Sequence, residues 1–364
     1  MNHPFNETLV DGPHSKDSHA HSPLWMVSQE PLLNELVLYL DTVRKELEQE
    51  PDRTHEMRFS RSHLRTCRAA FDRMIIKGEE SLHRLCELLC TSYVGPYQLQ
   101  SVVIGEVPTT SERFTLTQPI SSQNLYSTID LDLGSRQLRK LQYYDGSSWV
   151  APTLVANVVE YQPIEPNRYG INKIISRIKA EEELWNKVVD EIFGLDSFVT
   201  RDKELRHLSK YVKDVFGIKI VVGSSSEGLE LHHALTKIAW DYKVLSEFGM
   251  ELDARTEQLN FIETKDYLQE TEKGSGWEAI KSVVIWNDKM FEIQIQPLGN
   301  FWREREHLTR ESHAGFKSRR EQVRQQVADQ IPLFGFYQSL LKWLFQNPDG
   351  PAPIFPAVSL LIID

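Results

Sequence analysis

MFEIQIQP, residues 290–297, alternates three apolar side chains, Phe291, Ile293 and Ile295, with Glu292, Gln294 and Gln296. In extended backbone successive side chains leave opposite faces, so the octet reads as a strand with one oily face and one face of a carboxylate and two amides. Its upstream neighbour, KSVVIW at 281–286, makes the pair a hairpin turning at Asn287-Asp288. A solvated outer face is the default explanation for polar alternation in an antiparallel strand. The surrounding segments decide whether Glu292 follows that default.

Working outward, GIKIVVG (217–223) reads as a short buried strand, and GSSSEG (223–228) as a strand-to-helix turn, since it lacks the lysine of a phosphate loop. LELHHALTKIAWDYKVLSEFG carries a helical period, as does GINKIISRIKAEEELWNKVVDEIF, with Ile174, Ile178, Trp185, Val188 and Ile192 on its buried side. A charged helix is expected at about 300–328, bearing Arg303, Arg305, Arg310, His313, Lys317, Arg319 and Arg320. The alternation of helix, strand, helix, hairpin and helix indicates an α+β or mixed α/β domain over 166–328. Before it, 24–165 reads as an α-then-β module: helices at 28–50, 59–76 and 78–93, then short strands from about 97 to 163 with a turn at Tyr144-Asp145-Gly146-Ser147. Residues 1–23 read as a polar, disordered tail. Residues 329–364 form an apolar extension, IPLFGFYQSLLKWLFQ then AVSLLIID, expected to dock on the body.

The totals fit a soluble protein. Of 364 residues, 40% are hydrophobic and 26% charged, and the formal charge of -11 argues against a generic nucleic-acid binder. Three cysteines (Cys67, Cys86, Cys90) are too few for a disulfide framework, and no run approaches the ~18 apolar residues of a membrane span. A cytoplasmic location is expected. Cys86 and Cys90 share a helix face without a second ligand pair, which makes them core residues rather than metal ligands.

Four stretches carry candidate chemistry. Lys179, Glu183 and Lys187 fall on one helical stripe bordered by Arg177. Asp214 precedes the 217–223 strand. FIETKDYLQETEKGSGWEAIKSVVIW holds Lys265, Lys273, Gly274, Gly276 and Trp277; glycines admit close backbone approach, lysines counter phosphate charge and an aromatic stacks a base. The fourth is the Glu292 strand with its following basic helix.

In this order the stretches resemble the RelA/SpoT-type alarmone synthetases, or GTP pyrophosphokinases, over about 170–320. SRIKAEEELWNKV is similar to that family's Arg-x-Lys helix, DVFGIKIVV to its Asp-x-x-Gly-x-Arg strand, and TKDYLQETEKGSGWEAIKSVV to its Lys-Asp-Tyr…Asn-Gly-Tyr-x-Ser-x-His segment. FEIQIQP and ESHAGFK resemble its Glu-x-Gln-Ile-Arg strand and Ala-His-x-x-Lys helix. The resemblance implies a nucleotidyltransferase-like mixed sheet flanked by helices, and transfer of the pyrophosphoryl group of ATP to the 3′-hydroxyl of a purine nucleotide. It implies Asp214 and Glu292 as catalytic acids and Mg²⁺ ligands. Arg177, Lys179, Lys187, Lys219, Lys265, Lys273, Trp277 and His313 become nucleotide-binding residues.

The chain departs from the pattern at Glu183, Lys219, Glu263, Ser275, Trp277, Ala279, Lys281 and Gln296, mostly on the acceptor side. Three readings follow: a pyrophosphokinase acting on GDP or GTP (ADP or AMP as variants), a toxin-like relative that modifies tRNA 3′ ends, and a non-catalytic nucleotide-binding regulator. A homo-oligomer stays open under each. The family's hydrolase His-Asp dipeptide is absent, so the degrading activity is not expected.

Overall fold

The computed structural model describes residues 23–363, apart from 111, 145, 179–180, 194–214, 269–277, 311–324, 326, 347 and 349. Its centre is an eight-stranded mixed sheet. In chain order the strands are β2 (Tyr97–Val107), β3 (Glu112–Pro119), β6 (Thr153–Pro163), β7 (Ile171–Ile178), β8 (Phe216–Val222), β9 (Asn260–Asp266), β10 (Ile280–Trp286) and β11 (Lys289–Pro297). Across the sheet they lie in the order β3-β2-β6-β7-β8-β11-β10-β9, antiparallel except for the parallel pair β8 and β11. The fold is therefore a mixed α/β one. Both expected modules share this sheet, since β6 pairs directly with β7 across the Pro163–Asn167 break.

One face of the sheet is packed by α3 (Arg61–Tyr93) and by α7 (Ser225–Leu235), and opposite charges and amides on the other face meet α9 (Leu298–Arg310). Around the core sit α1 (Pro23–Ser28), α2 (Pro31–Gln49), α6 (Glu181–Ile192) and α10 (Pro332–Phe345), whose apolar faces enter the same core. Trp185 of α6 stacks on Phe345 of α10 with centroids 3.9 Å apart, so the apolar segment after 329 docks on the body as its composition suggested. The last strand, β12 (Val358–Ile363), pairs in parallel with β1 (His55–Ser60).

The hairpin is as expected: Asn287 (φ 49°) and Asp288 (φ 56°) both take the left-handed conformation that a type I′ turn requires. The strand-to-helix turn at 223–228 is a helix start, in which the Ser224 hydroxyl accepts from the Glu227 N–H.

Several expectations are corrected. Helices at 59–76 and 78–93 are one helix, α3, because Gly78 does not break it; the absent side chain lets Phe216 of β8 lie against the helix backbone. The strand region 97–163 also contains α4 (Ser122–Ser127), α5 (Asp130–Leu138) and a two-residue hairpin of β4 (Tyr143–Tyr144) and β5 (Trp149–Val150). The helical period of 229–249 is divided between α7 and α8 (Tyr242–Glu247). The expected charged helix at 300–328 is described only as α9, ending at Arg310.

The largest correction is at GINKIISRI. Ile171, Ile174, Ile175 and Ile178 have helical spacing, yet the segment is β7. Isoleucine is β-branched and favours the pleated chain, and a central strand buried on both faces need not alternate. Arg177 is therefore a strand residue, and does not border a helical stripe with Lys187.

Candidate functional site

Register places the charged residues. Arg177 pairs with Gly217, and Gly217 with Glu292, across β7, β8 and β11. One step along, Lys219 pairs with Gln294, Gln294 with Lys281, and Lys281 with Lys265. Cross-strand partners share a face, so Arg177, Lys219, Lys265, Lys281, Glu263, Glu292, Gln294 and Gln296 all stand on one side of the sheet. The alternating residues Ile218, Ile220, Ile293 and Ile295 belong to the core on the other side. The carboxylate of the opening octet does not face open solvent: Glu292 is 5% exposed.

Glycine sets the geometry at the centre of this face. A Cβ on Gly217 would stand 3.1 Å from Arg177 Nε and 3.3 Å from its Cγ, so the arginine stem lies across the β8 backbone where a side chain would crowd it. Lys281 Nζ forms an ion pair with Glu292 Oε2. Lys265 Nζ pairs with Glu263 at 2.6 Å. Burial works against the Lys265 ammonium, but the Glu263 bond, helped by Glu292, raises its pKa above the usual lysine range.

Helix α9 covers part of the face. Glu304 accepts from Lys219 Nζ at 2.9 Å and from Gln296 Nε2 at 2.8 Å. Phe301 packs on Ile175 and Val221, and the Lys173 and Lys219 ammonium groups lie 5.6 and 5.8 Å from its ring centroid. Burial depresses the pKa of Lys219 despite its pairing with Glu304. Glu304 feels the same burial, which would raise its pKa, but the Lys219 charge and hydrogen bond prevail and hold it below the usual carboxylate value.

Of the residues singled out from sequence, the fold brings Arg177, Lys219, Lys265 and Glu292 together. Lys187 is buried on α6, beside α1 and α10. Asp214, Lys179, Lys273, Trp277 and His313 lie outside the described residues. Sequence reasoning missed Lys281 and Glu304 as partners. Lys281 was recoverable, because a two-residue turn at 287–288 puts it opposite Gln294 and diagonal to Glu292. Glu304 reaches Lys219 from a helix 85 residues away in sequence, and no local pattern signals that.

No family model and no curated protein matches the chain. Among solved structures, small alarmone synthetase 1 from Bacillus subtilis aligns with a TM-score of 0.23 and 18% identity, over 38% of this chain and 61% of that one. The chain thus spans about three fifths of that protein's length. The same synthetase bound to its product pppGpp gives a TM-score of 0.24 and 17% identity, over 52% and 74%. The smu.1046c protein from Streptococcus mutans UA159 gives 0.25 and 20%, over 44% and 74%. These are distant, partial likenesses.

Among the described residues no helix is long and apolar enough to cross a membrane.

Proposed function

We propose that this protein is a nucleotide-binding pyrophosphokinase of the nucleotidyltransferase type, moving the β,γ-pyrophosphoryl group of ATP to the 3′-hydroxyl of a purine nucleotide, GDP or GTP first among the candidates. The observation that carries the reading is the single row Arg177–Gly217–Glu292. Three sequence-distant segments, chosen for their motif resemblance, meet at one register on one charged face.

The chemistry asks for neutralised phosphate charge and a group to take the hydroxyl proton. Arg177, laid over Gly217, offers a planar fork to phosphate oxygens, and Lys265 and Lys281 add point charges beside it. The acceptor oxygen bonds to the β-phosphorus as the bridge to the α-phosphate breaks, and AMP leaves with that electron pair. In this reading Glu292 receives the hydroxyl proton.

Magnesium, implied by the resemblance, would neutralise the polyphosphate and polarise the attacked phosphorus. The described residues do not by themselves make its site: Glu292 Oε2 already holds an ammonium, and Asp214 lies outside them.

The test incubates the purified chain with γ-labelled ATP, Mg²⁺ and, in turn, GDP, GTP, ADP, AMP and bulk tRNA, with Glu292→Gln as the control. Label in a nucleotide polyphosphate, lost in the variant, supports the proposal, and label in tRNA moves the acceptor to RNA ends. One observation favours binding without transfer, namely the Lys281 ammonium on Glu292. Tight nucleotide binding with no transfer to any acceptor would establish that alternative.

A further inference from the structure

On the core side of the sheet, away from the charged face, three titratable groups meet in a space closed to solvent. Glu79 and His83 stand one turn apart on α3, and Asp130 is the first residue of α5. Their exposures are 4%, 0% and 1%. One ligand atom from each lies within 4.8 Å of the others. His83 Nε2 is 3.4 Å from Asp130 Oδ1 and 3.7 Å from Glu79 Oε1.

Those contacts are within ion-pair reach, but neither has the geometry of a hydrogen bond. His83 Nε2 and both carboxylate oxygens of Asp130 have no hydrogen-bond partner among the described residues. Buried carboxylate oxygens are rarely left so, because the desolvation of an unmatched acid is severe. The 3.4 and 3.7 Å separations of His83 Nε2 from the two acids lie near the spacing of ligands around one ion. Ligands at about 2.0–2.2 Å from a tetrahedral ion stand about 3.3–3.6 Å from one another.

The surroundings hold the ligands in place. His83 Nδ1 is 2.9 Å from the Tyr161 hydroxyl, so an Nδ1–H donated there would leave the Nε2 lone pair directed at the cluster. The Asp130 backbone N–H donates to Glu79 Oε1 at 2.6 Å. Asn157 Nδ2 donates to the Asp130 carbonyl, and Asn157 Oδ1 accepts from Ser101 at 3.0 Å. Such supporting hydrogen bonds are what fix first-row metal ligands.

We propose that Glu79, His83 and Asp130 form a buried structural site for a divalent first-row transition ion, Zn²⁺ foremost, tying α3 to α5 on the far side of the sheet from the nucleotide face. Two carboxylates and an imidazole suit Zn²⁺, with Mn²⁺ and Fe²⁺ as the neighbouring choices. A dication also cancels both carboxylate charges, which an imidazolium alone would leave one short.

The rival arrangement is metal-free. In it His83 is protonated between the two acids; burial opposes this, but Asp130 and Glu79 raise its pKa to about 9. The experiment separates the two. The full chain, expressed with Zn²⁺, Mn²⁺ and Fe²⁺ supplied and then desalted, is analysed by elemental mass spectrometry and melted with and without a strong chelator. We expect roughly one equivalent of one metal per chain and a melting temperature several degrees lower after chelation, recovered on adding the ion back. Asp130→Asn, which keeps shape and removes a ligand charge, should lose the metal while remaining folded by circular dichroism. Should that variant not fold, the Co²⁺-loaded wild type provides the second measurement through ligand-field absorption bands. A folded wild type that holds far less than one equivalent of every metal, with a melting point indifferent to chelator, overturns the proposal in favour of the imidazolium triad.

Discussion

Gly78 interrupts the apolar run of α3, and adding one methyl group there tests how closely that helix meets the sheet. A Cβ at this position would lie 2.5 Å from Phe216 Cε2 and 2.7 Å from its Cε1, and closer still to the ring tip. Phe216 is 3% exposed and cannot swing into solvent. On a free helix Gly→Ala would stabilise by about 1 kcal/mol. Overpacking in a filled core costs about 1–3 kcal/mol, and a carbon placed inside contact distance of three ring atoms belongs at the upper end. The balance for Gly78→Ala is a net loss of about 2 kcal/mol, opposite in sign to the helix-propensity expectation. Denaturant unfolding followed by circular dichroism would read it as a lower midpoint at unchanged slope. On a Phe216→Leu background the same substitution should lose much of its penalty, a coupling of about 1–2 kcal/mol. If Gly78→Ala proved as stable as wild type, or more so, the close approach of α3 to β8 would be wrong.

Gly217→Ala crowds Arg177 at a flexible side chain rather than at backbone, so the fold should survive while nucleotide affinity falls by about tenfold or more; calorimetric titration with ATP checks it, and unchanged affinity removes Arg177 from the site. Lys281→Ala takes away the ammonium facing buried Glu292. Because the Lys281 side chain is 24% exposed the loss should stay near 1–2 kcal/mol, and a double-mutant cycle with Glu292→Gln should show the two effects to be coupled. Glu304→Gln addresses pH. The Glu304 pKa is lower in the folded chain than its ordinary 4.5, so between the two values the unfolded state binds a proton that the folded state does not. Its stabilising contribution is full above that ordinary value and fades as pH falls through the folded one. The stability gap between wild type and Glu304→Gln should therefore narrow in acid, and a gap constant with pH would refute the assignment.

The hairpin at 281–297 was legible because two independent signals agree, a two-residue turn and strict alternation on its second arm. The 217–223 strand was legible from its density of β-branched residues. The same chemistry was present in Ile171–Ile178, but there the spacing of four isoleucines satisfied the helical period, and burial on both faces of a central strand erased the alternation that would have corrected it. The one helix α3 was read as two, 59–76 and 78–93, and the residue that calls for glycine at 78, Phe216, lies 138 residues away. On the candidate site the sequence supplied four residues of the charged face. The partners Lys281 and Glu304 come from register and helix docking, which are properties of the assembled sheet. The Glu79–His83–Asp130 cluster was overlooked for a related reason. An acid and a histidine four apart on a helix are common on surfaces, and nothing local says that Asp130 joins them in the interior.

The pairing of His55–Ser60 with Val358–Ile363 sets an order of events for a newly made chain. Two strands about 300 residues apart pay a loop-closure entropy of about 5 kcal/mol if the intervening chain is still loose, so this pair forms after the body has organised. Translation at about 5–20 residues per second imposes a further wait of roughly 15–60 s between the synthesis of one strand and of its partner. During that interval the strand that carries Met57 and Phe59, both buried in the finished protein, presents to the surroundings the edge that β12 later pairs. Crowded ribosomes would present many such edges at once, which makes the nascent chain, more than the finished protein, the state in which copies of this sequence are prone to associate wrongly.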